Sequence, residues 1–185
     1  MNKIRPDSKD AVLEAAFQVF AENPKAGLGE VAARAGVGRA TLNRHFAGRG
    51  DLMQALAKTA LAELDEAVKA ATSAAPSYEE GFRLSFHAII PLADRQWFLA
   101  HEDFDPNSDI AVAYAASQDQ LIADIKDAQN NGFLDPQMPA IWIAEVYENL
   151  IYAAWSLVRS GDATPKQAAE LAWRSFCSGV TGDAT

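Results

Sequence analysis

The sequence predicts an all-α protein, and three observations point that way. Alanine and other good helix formers dominate, Gly and Pro fall at spaced intervals, and no β-branched alternating run appears. Cut at its breakers, the chain divides into about nine helices. With 185 residues, of which 49% are apolar, it can build a real core and is too apolar for disorder. No window approaches the roughly 18–20 uninterrupted apolar residues that span a bilayer, so no membrane partner is expected. Residues 1–14 lack the apolar h-region of a signal peptide. Cys177 is the one cysteine, which rules out an internal disulfide and suits a reducing cytoplasm.

The elements follow in order. Helix one runs from near Ser8 to Ala21, capped by Asp7 or Ser8, with Val12, Leu13, Ala16, Phe17 and Phe20 as its apolar stripe. Helix two starts after Gly27, has Glu30 in the capping-box position and ends at Gly36. Helix three spans about Gly38 to His45, and helix four runs from Gly48–Asp51 to Ala71. The small-residue stretch 71–77 is the main joint. Tyr78 to Ile90 forms helix five, ended or kinked by Pro91, which also suits the first turn of a sixth in LADRQWFLAHE. A long seventh spans Asp109 to Asn130 and is stopped by Asn131–Gly132. The eighth opens at Pro139 and stops at Gly161; Thr164–Pro165 begins a last helix that ends near Gly179.

Charge is unevenly spread. The formal net charge is -9, yet residues 1–50 hold eight Lys/Arg against five Asp/Glu, leaving eight against twenty beyond them. A basic end on an acidic chain suits an anionic partner. The basic residues gather in GVGRATLNRHFAGR, Gly36 to Arg49. Helix two, a Gly36-Val37-Gly38 turn and a short helix three are the parts of a helix-turn-helix, whose second helix enters the DNA major groove. Leu42 and Phe46, four apart, can lock helix three onto Phe17, Phe20 and Val31. Arg39, Asn43 and Arg44 then point away. Asn and Arg are side chains that read adenine and guanine edges.

The segment LGEVAARAGVGRATLNRHFAGRGDLMQAL resembles the signature of the TetR family of one-component transcriptional regulators. The matching positions are Val31-Ala32, Ala35-Gly36-Val37, Thr41-Leu42, His45-Phe46, Arg49 and Leu52. The preceding VLEAAFQVFAENP is similar to the family's first helix, and the match covers roughly 10–56. The resemblance implies a DNA-binding face of Arg39, Ala40, Thr41, Asn43, Arg44 and His45. It places Arg49 as a backbone contact at the start of helix four, and Lys3 and Arg5 can add a basic arm. Asn43 stands where the family has a phosphate-contacting Tyr, which leaves open whether it meets a base or a phosphate. Gly38 replaces a Ser cap, a change worth only a few tenths of a kcal/mol.

The resemblance also implies two domains. Residues 1–50 form the helix-turn-helix domain, with helix four (48–72) connecting, and 51–185 form a helical ligand-binding and dimerisation domain. Helix eight is apolar nearly all round, so one side is expected to meet the core and another a second subunit. The candidate dimer interface comprises Trp142, Ile151, Trp155, Val158, Leu171, Ala172 and Phe176. For an effector pocket among the middle helices the candidates are Phe86, His87, Ile90, Trp97, Phe98, His101, Tyr114 and Tyr147, with Phe82 and Gln118 beside them. The acidic surface leans toward cationic or neutral ligands. His101-Glu102-Asp103 lacks a paired-His spacing, so neither a metal nor a cofactor is expected.

The reading is a ligand-responsive repressor: a homodimer on a pseudo-palindromic double-stranded operator, released by a small-molecule effector. Two alternatives stay open, a TetR-like chain that lost specific DNA binding and acts through protein partners, and an all-α enzyme. The second finds no G-x-S-x-G, phosphate loop or H-E-x-x-H. Replacing Arg44 by Ala should weaken operator binding in a gel-shift titration and leave the thermal midpoint unchanged. Unaltered binding would show that the recognition face has been misplaced.

Overall fold

The computed structural model of the chain describes residues 8–106 and 108–181. Lys3 and Arg5 lie outside the described residues. Nine α-helices are present among those described: α1 (Ser8–Glu22), α2 (Leu28–Arg34), α3 (Arg39–His45), α4 (Arg49–Thr72), α5 (Tyr78–Ile89), α6 (Ala93–His101), α7 (Asp109–Asn130), α8 (Ala140–Ser160) and α9 (Pro165–Val180). None of them is long and apolar enough to cross a membrane.

The caps explain where the helices begin. Ser77 Oγ accepts the Glu80 N–H at 3.2 Å and Ser108 Oγ the Ala111 N–H at 3.1 Å. Thr164 and Gln167 form a reciprocal box: Thr164 Oγ1 accepts the Gln167 N–H at 3.3 Å, and Gln167 Oε1 accepts the Thr164 N–H at 3.0 Å. Gly27 has no side chain to offer, so only half a box forms, with Glu30 Oε1 taking the Gly27 N–H at 2.9 Å. Gly36 closes α2 at φ 67° and Gly161 closes α8 at φ 81°, a conformation that costs other residues energy. Pro91 ends α5 as expected but does not open α6. It sits in a separate 3-10 turn, Ile90–Leu92, and α6 starts after it. Proline has no N–H to return to the carbonyl four residues back, so α5 stops and the chain tightens before restarting.

Packing follows the apolar stripes. Phe17, Phe20, Val31, Leu42, Phe46 and Leu52 are buried together and hold α1, α2, α3 and the start of α4 as one small unit. The other helices gather round an aromatic centre. Phe86 lies 4.6 Å from the Tyr147 ring and 5.5 Å from Phe176, and Phe82 stacks on Phe176 at 5.6 Å. Such contacts add about 0.5–1.5 kcal/mol each to the area they bury. Behind them α8 and α9 pack side by side, and the Asp135 N–H donates to the Val180 carbonyl at 3.0 Å, tying the α7–α8 loop to the end of α9.

The two groups of helices meet at Arg95 of α6, which is 7% exposed. Its guanidinium pairs with Glu14 of α1, with Glu63 of α4 at 2.9 Å and with Asp94 at 2.7 Å. It also lies 4.4 Å over the Phe17 ring. Burial alone would lower its pKa; hydrogen bonds to Glu14, Asp94 and Glu63 reverse this and hold it above the ordinary arginine value. Arg95→Ala should lower unfolding stability by about 2 kcal/mol in a urea titration. That is below the 3–5 kcal/mol range for broken buried pairs, because Glu14 and Glu63 are left half in solvent. A loss below about 0.5 kcal/mol would show the cluster to be decorative.

Candidate nucleic-acid interface and ligand cavity

α3 is amphipathic over only seven residues. Leu42 faces inward at 1% exposure, and Phe46, just beyond the helix, follows it at 2%. With that side fixed, Arg39, Ala40, Asn43 and Arg44 are exposed on the other. Among the described residues, neither the Arg39 nor the Arg44 guanidinium makes an ion pair or hydrogen bond, so both remain available to an anion. Arg39 folds across the first turn of α2. A Cβ on Gly29 would sit 2.9 Å from its Nη2, so the missing side chain there leaves room for the guanidinium.

Three of the expected interface residues are placed differently. Arg49 stays exposed, but its guanidinium is engaged: it donates to the Ala26 carbonyl at 2.6 Å and the Pro24 carbonyl at 2.7 Å, and lies 4.5 Å over the Phe20 ring. It therefore clamps the α1–α2 loop to α4, since a forked cation meets two converging carbonyls there. His45 shares a 2.6 Å hydrogen bond between its Nε2 and Ser8 Oγ, which ties the end of α3 to the start of α1. Thr41 is half-buried.

A cavity of about 690 Å³ opens between α4, α5, α6, α7 and α8. Its apolar wall includes Leu61, Leu64 and Val68 of α4 and Ile89 of α5, and its aromatic wall Phe82, Tyr114 and Tyr147. Polar groups interrupt these walls. Tyr147 donates its hydroxyl to Ser85 Oγ at 2.8 Å, and burial pushes its pKa well up. Tyr114 is pushed up to about 12, by burial first and then by the nearby Glu148 charge. Glu148 Oε1 accepts two amide hydrogen bonds, from Gln96 at 2.9 Å and from Gln118 at 2.8 Å. Burial raises the Glu148 pKa, and Glu145 adds to the rise.

Of the expected pocket residues, Tyr114, Tyr147, Phe82 and Gln118 line this cavity. Phe86, Ile90 and Phe98 are sealed in the core at 0%, 2% and 7% exposure. His87 faces α9, with its Nε2 3.0 Å from Glu170 Oε1. Trp97 and His101 stack on each other on the outside of α6, and Trp97 continues onto Tyr152 and Trp155 of α8. Helical spacing marks an apolar face but does not say which face meets a void. Sequence reasoning missed Gln96, Glu148 and the α4 wall. Glu148 had a legible signal, one of two carboxylates, with Glu145, on a helix rich in apolar side chains.

The expected dimer residues also divide. Ile151, Ala172 and Phe176 are buried at 1%, 4% and 0% within the protomer, so its own core uses them. Trp142 is 57% exposed and Leu171 47%, while Trp155 and Val158 are half-buried. Ile141, Tyr152 and Leu157 are exposed as well.

Comparison with known proteins agrees with this geometry. Residues 12–56 match the family described as bacterial regulatory proteins, tetR family. The HTH-type transcriptional repressor LfrR of Mycolicibacterium smegmatis is 27% identical over 157 residues, covering 85% of this chain and 82% of that protein. The solved structure of the TetR-like regulator LfrR from Mycobacterium smegmatis in complex with proflavine superposes with a TM-score of 0.74 at 24% identity, covering 95% of this chain and 97% of that one. A ketosteroid transcriptional regulator of Mycobacterium tuberculosis shares the fold with a TM-score of 0.73 at 17% identity, over 97% of each chain. Residues 12–56 thus match the reading head of the TetR family, and the chain along nearly its whole length is similar in fold to TetR-like regulators.

Proposed function

We propose that the chain is a ligand-responsive repressor: a homodimer that holds a pseudo-palindromic operator and releases it when a small molecule fills the cavity. The observation that carries this reading is the two-sided placement of α6. Gln96 and Leu99 line the cavity, while Arg95, next in sequence to Gln96, grips α1 and α4 beneath the reading head. A guest that shifts α6 therefore acts on the helices that position α3. Repression is relieved to the extent that the guest binds the shifted state more tightly than the DNA-bound one. The reading is supported by a relative of the same fold, LfrR, solved in complex with a small molecule, proflavine.

In this reading residues 1–50 form the reading head, α4 connects, and the rest senses and dimerises. Arg44 and Asn43 meet base edges or phosphates, and Arg39 meets the backbone beside α2. The exposed apolar side chains Ile141, Trp142, Tyr152, Leu157 and Leu171 are covered by a second copy, and two-fold symmetry pairs the half-sites. The protein works in the cytoplasm, where the operator is.

Three measurements test the proposal. Binding to the DNA upstream of the chain's own gene should fall steeply with salt and saturate at a specific site; weak, sequence-blind binding would favour a chain that acts through protein partners. Trp142→Glu should convert a dimer to a monomer by light scattering while the helical signal persists; a wild-type monomer would refute the interface. Gly29→Ala should raise the thermal midpoint slightly, since Ala outranks Gly in a helix by up to about 1 kcal/mol. The same change should weaken operator binding several-fold by displacing Arg39. Unchanged affinity would remove Arg39 from the interface.

A further inference from the structure

The charge of the cavity wall is one-sided. Asp65 comes from α4, Asp124 from α7 and Glu148 from α8, and among the described residues lining the cavity there is no Lys, Arg or His. The three carboxylates stand on three helices and do not converge. No group of His, Cys, Asp and Glu suited to a metal ion occurs among the described residues. Glu148 is the most informative of the three. Both of its amide donors, Gln96 and Gln118, converge on Oε1, and among the described residues Oε2 has no donor. A carboxylate this desolvated, with no cation nearby and Glu145 repelling it, favours a positive guest. Around it stand the faces of Phe82, Tyr114 and Tyr147, surfaces that attract flat rings and cations alike. A volume near 690 Å³ lies within the roughly 300–1,000 Å³ of small-molecule sites.

We propose that this cavity selects organic cations with a flat aromatic body, the charge held by the Glu148 carboxylate and the rings by Phe82, Tyr114 and Tyr147. The proposal rests on the reading of this cavity as the effector site and specifies its chemistry. Because Gln96 and Gln118 already grip Oε1, the guest meets Oε2, and neutralising Glu148 loosens its hold on Gln96 of α6. The same cation that fills the cavity thus acts on the helix that carries Arg95.

The test uses three tricyclic probes of similar size and different charge, with the full-length protein and no DNA. N-methylacridinium is permanently cationic, acridine is neutral at pH 7.5, and 9-anthracenecarboxylate is anionic. Fluorescence titration should give the order cation, neutral, anion, with about tenfold between the first two. Glu148→Gln, which keeps the shape of the side chain, should cost the cation about tenfold and acridine less than about twofold. Equal binding of the three probes by wild-type protein would overturn the proposal, and so would no binding at all. That series needs no variant, so it decides the matter even if Glu148→Gln folds poorly. An unchanged cation affinity in a folded Glu148→Gln would overturn it too. Cation binding that left operator affinity unaltered would instead overturn the repressor reading and leave the ligand class standing.

Discussion

The buried guanidinium of Arg95 is the interaction on which the rest of the structure depends. The reading head is small: three short helices closed over six or so apolar side chains and the first turns of α4. Through Glu14, Glu63 and the face of Phe17, Arg95 fixes that unit to α6 and α4 together. Burying an arginine is costly unless its donors are met, and here Nε, Nη1 and Nη2 each find a carboxylate. An apolar side chain would fill the space at lower cost but would specify no orientation. A charge with three fixed partners does, which suits a joint that must have one geometry when DNA is bound.

In the proposed function the cavity and the reading face are parts of one device. Gln96 leaves α6 toward Glu148, Arg95 leaves it toward Glu14 and Glu63, and one peptide bond separates them. A carboxylate kept in a partly desolvated place, held by amides and not by a cation, is an uneven balance that a positive guest can tip. Arg49 has the opposite role. By taking the Pro24 and Ala26 carbonyls it ties the α1–α2 loop to the start of α4.

Much of the fold was legible in the sequence because it depends on local chemistry. Thr164–Pro165, Gly161 and Asn131–Gly132 mark helix ends through capping and positive φ, and each structural boundary falls within a residue or two of its signal. Pro91 marks the end of α5, but its spacing does not separate a helix start from a 3-10 interruption, since both accept a proline. On the reading face, exposure of Arg39, Ala40, Asn43 and Arg44 follows from the spacing of Leu42 and Phe46. Arg49 and His45 could not be placed that way, since their partners, Pro24, Ala26 and Ser8, are brought close only by the fold. The cavity was least legible. An aromatic stripe such as Phe82, Phe86 and Tyr147 looks uniform in sequence, yet Phe86 is core and the other two border a void. The void depends on what the neighbouring helices fail to fill. Arg95 went unnoticed for the same reason, as three helices supply its partners.

The coupling between cavity and head is measurable as a ratio. Operator Kd is determined with and without saturating N-methylacridinium, for wild-type protein and for Arg95→Met, with cation binding by both confirmed separately. Any effect of the cation on DNA alone is common to both proteins and cancels in the comparison. Transmission through Arg95 predicts a ratio well above one for wild type that falls toward the DNA-only value for Arg95→Met. The same ratio in both proteins would contradict it.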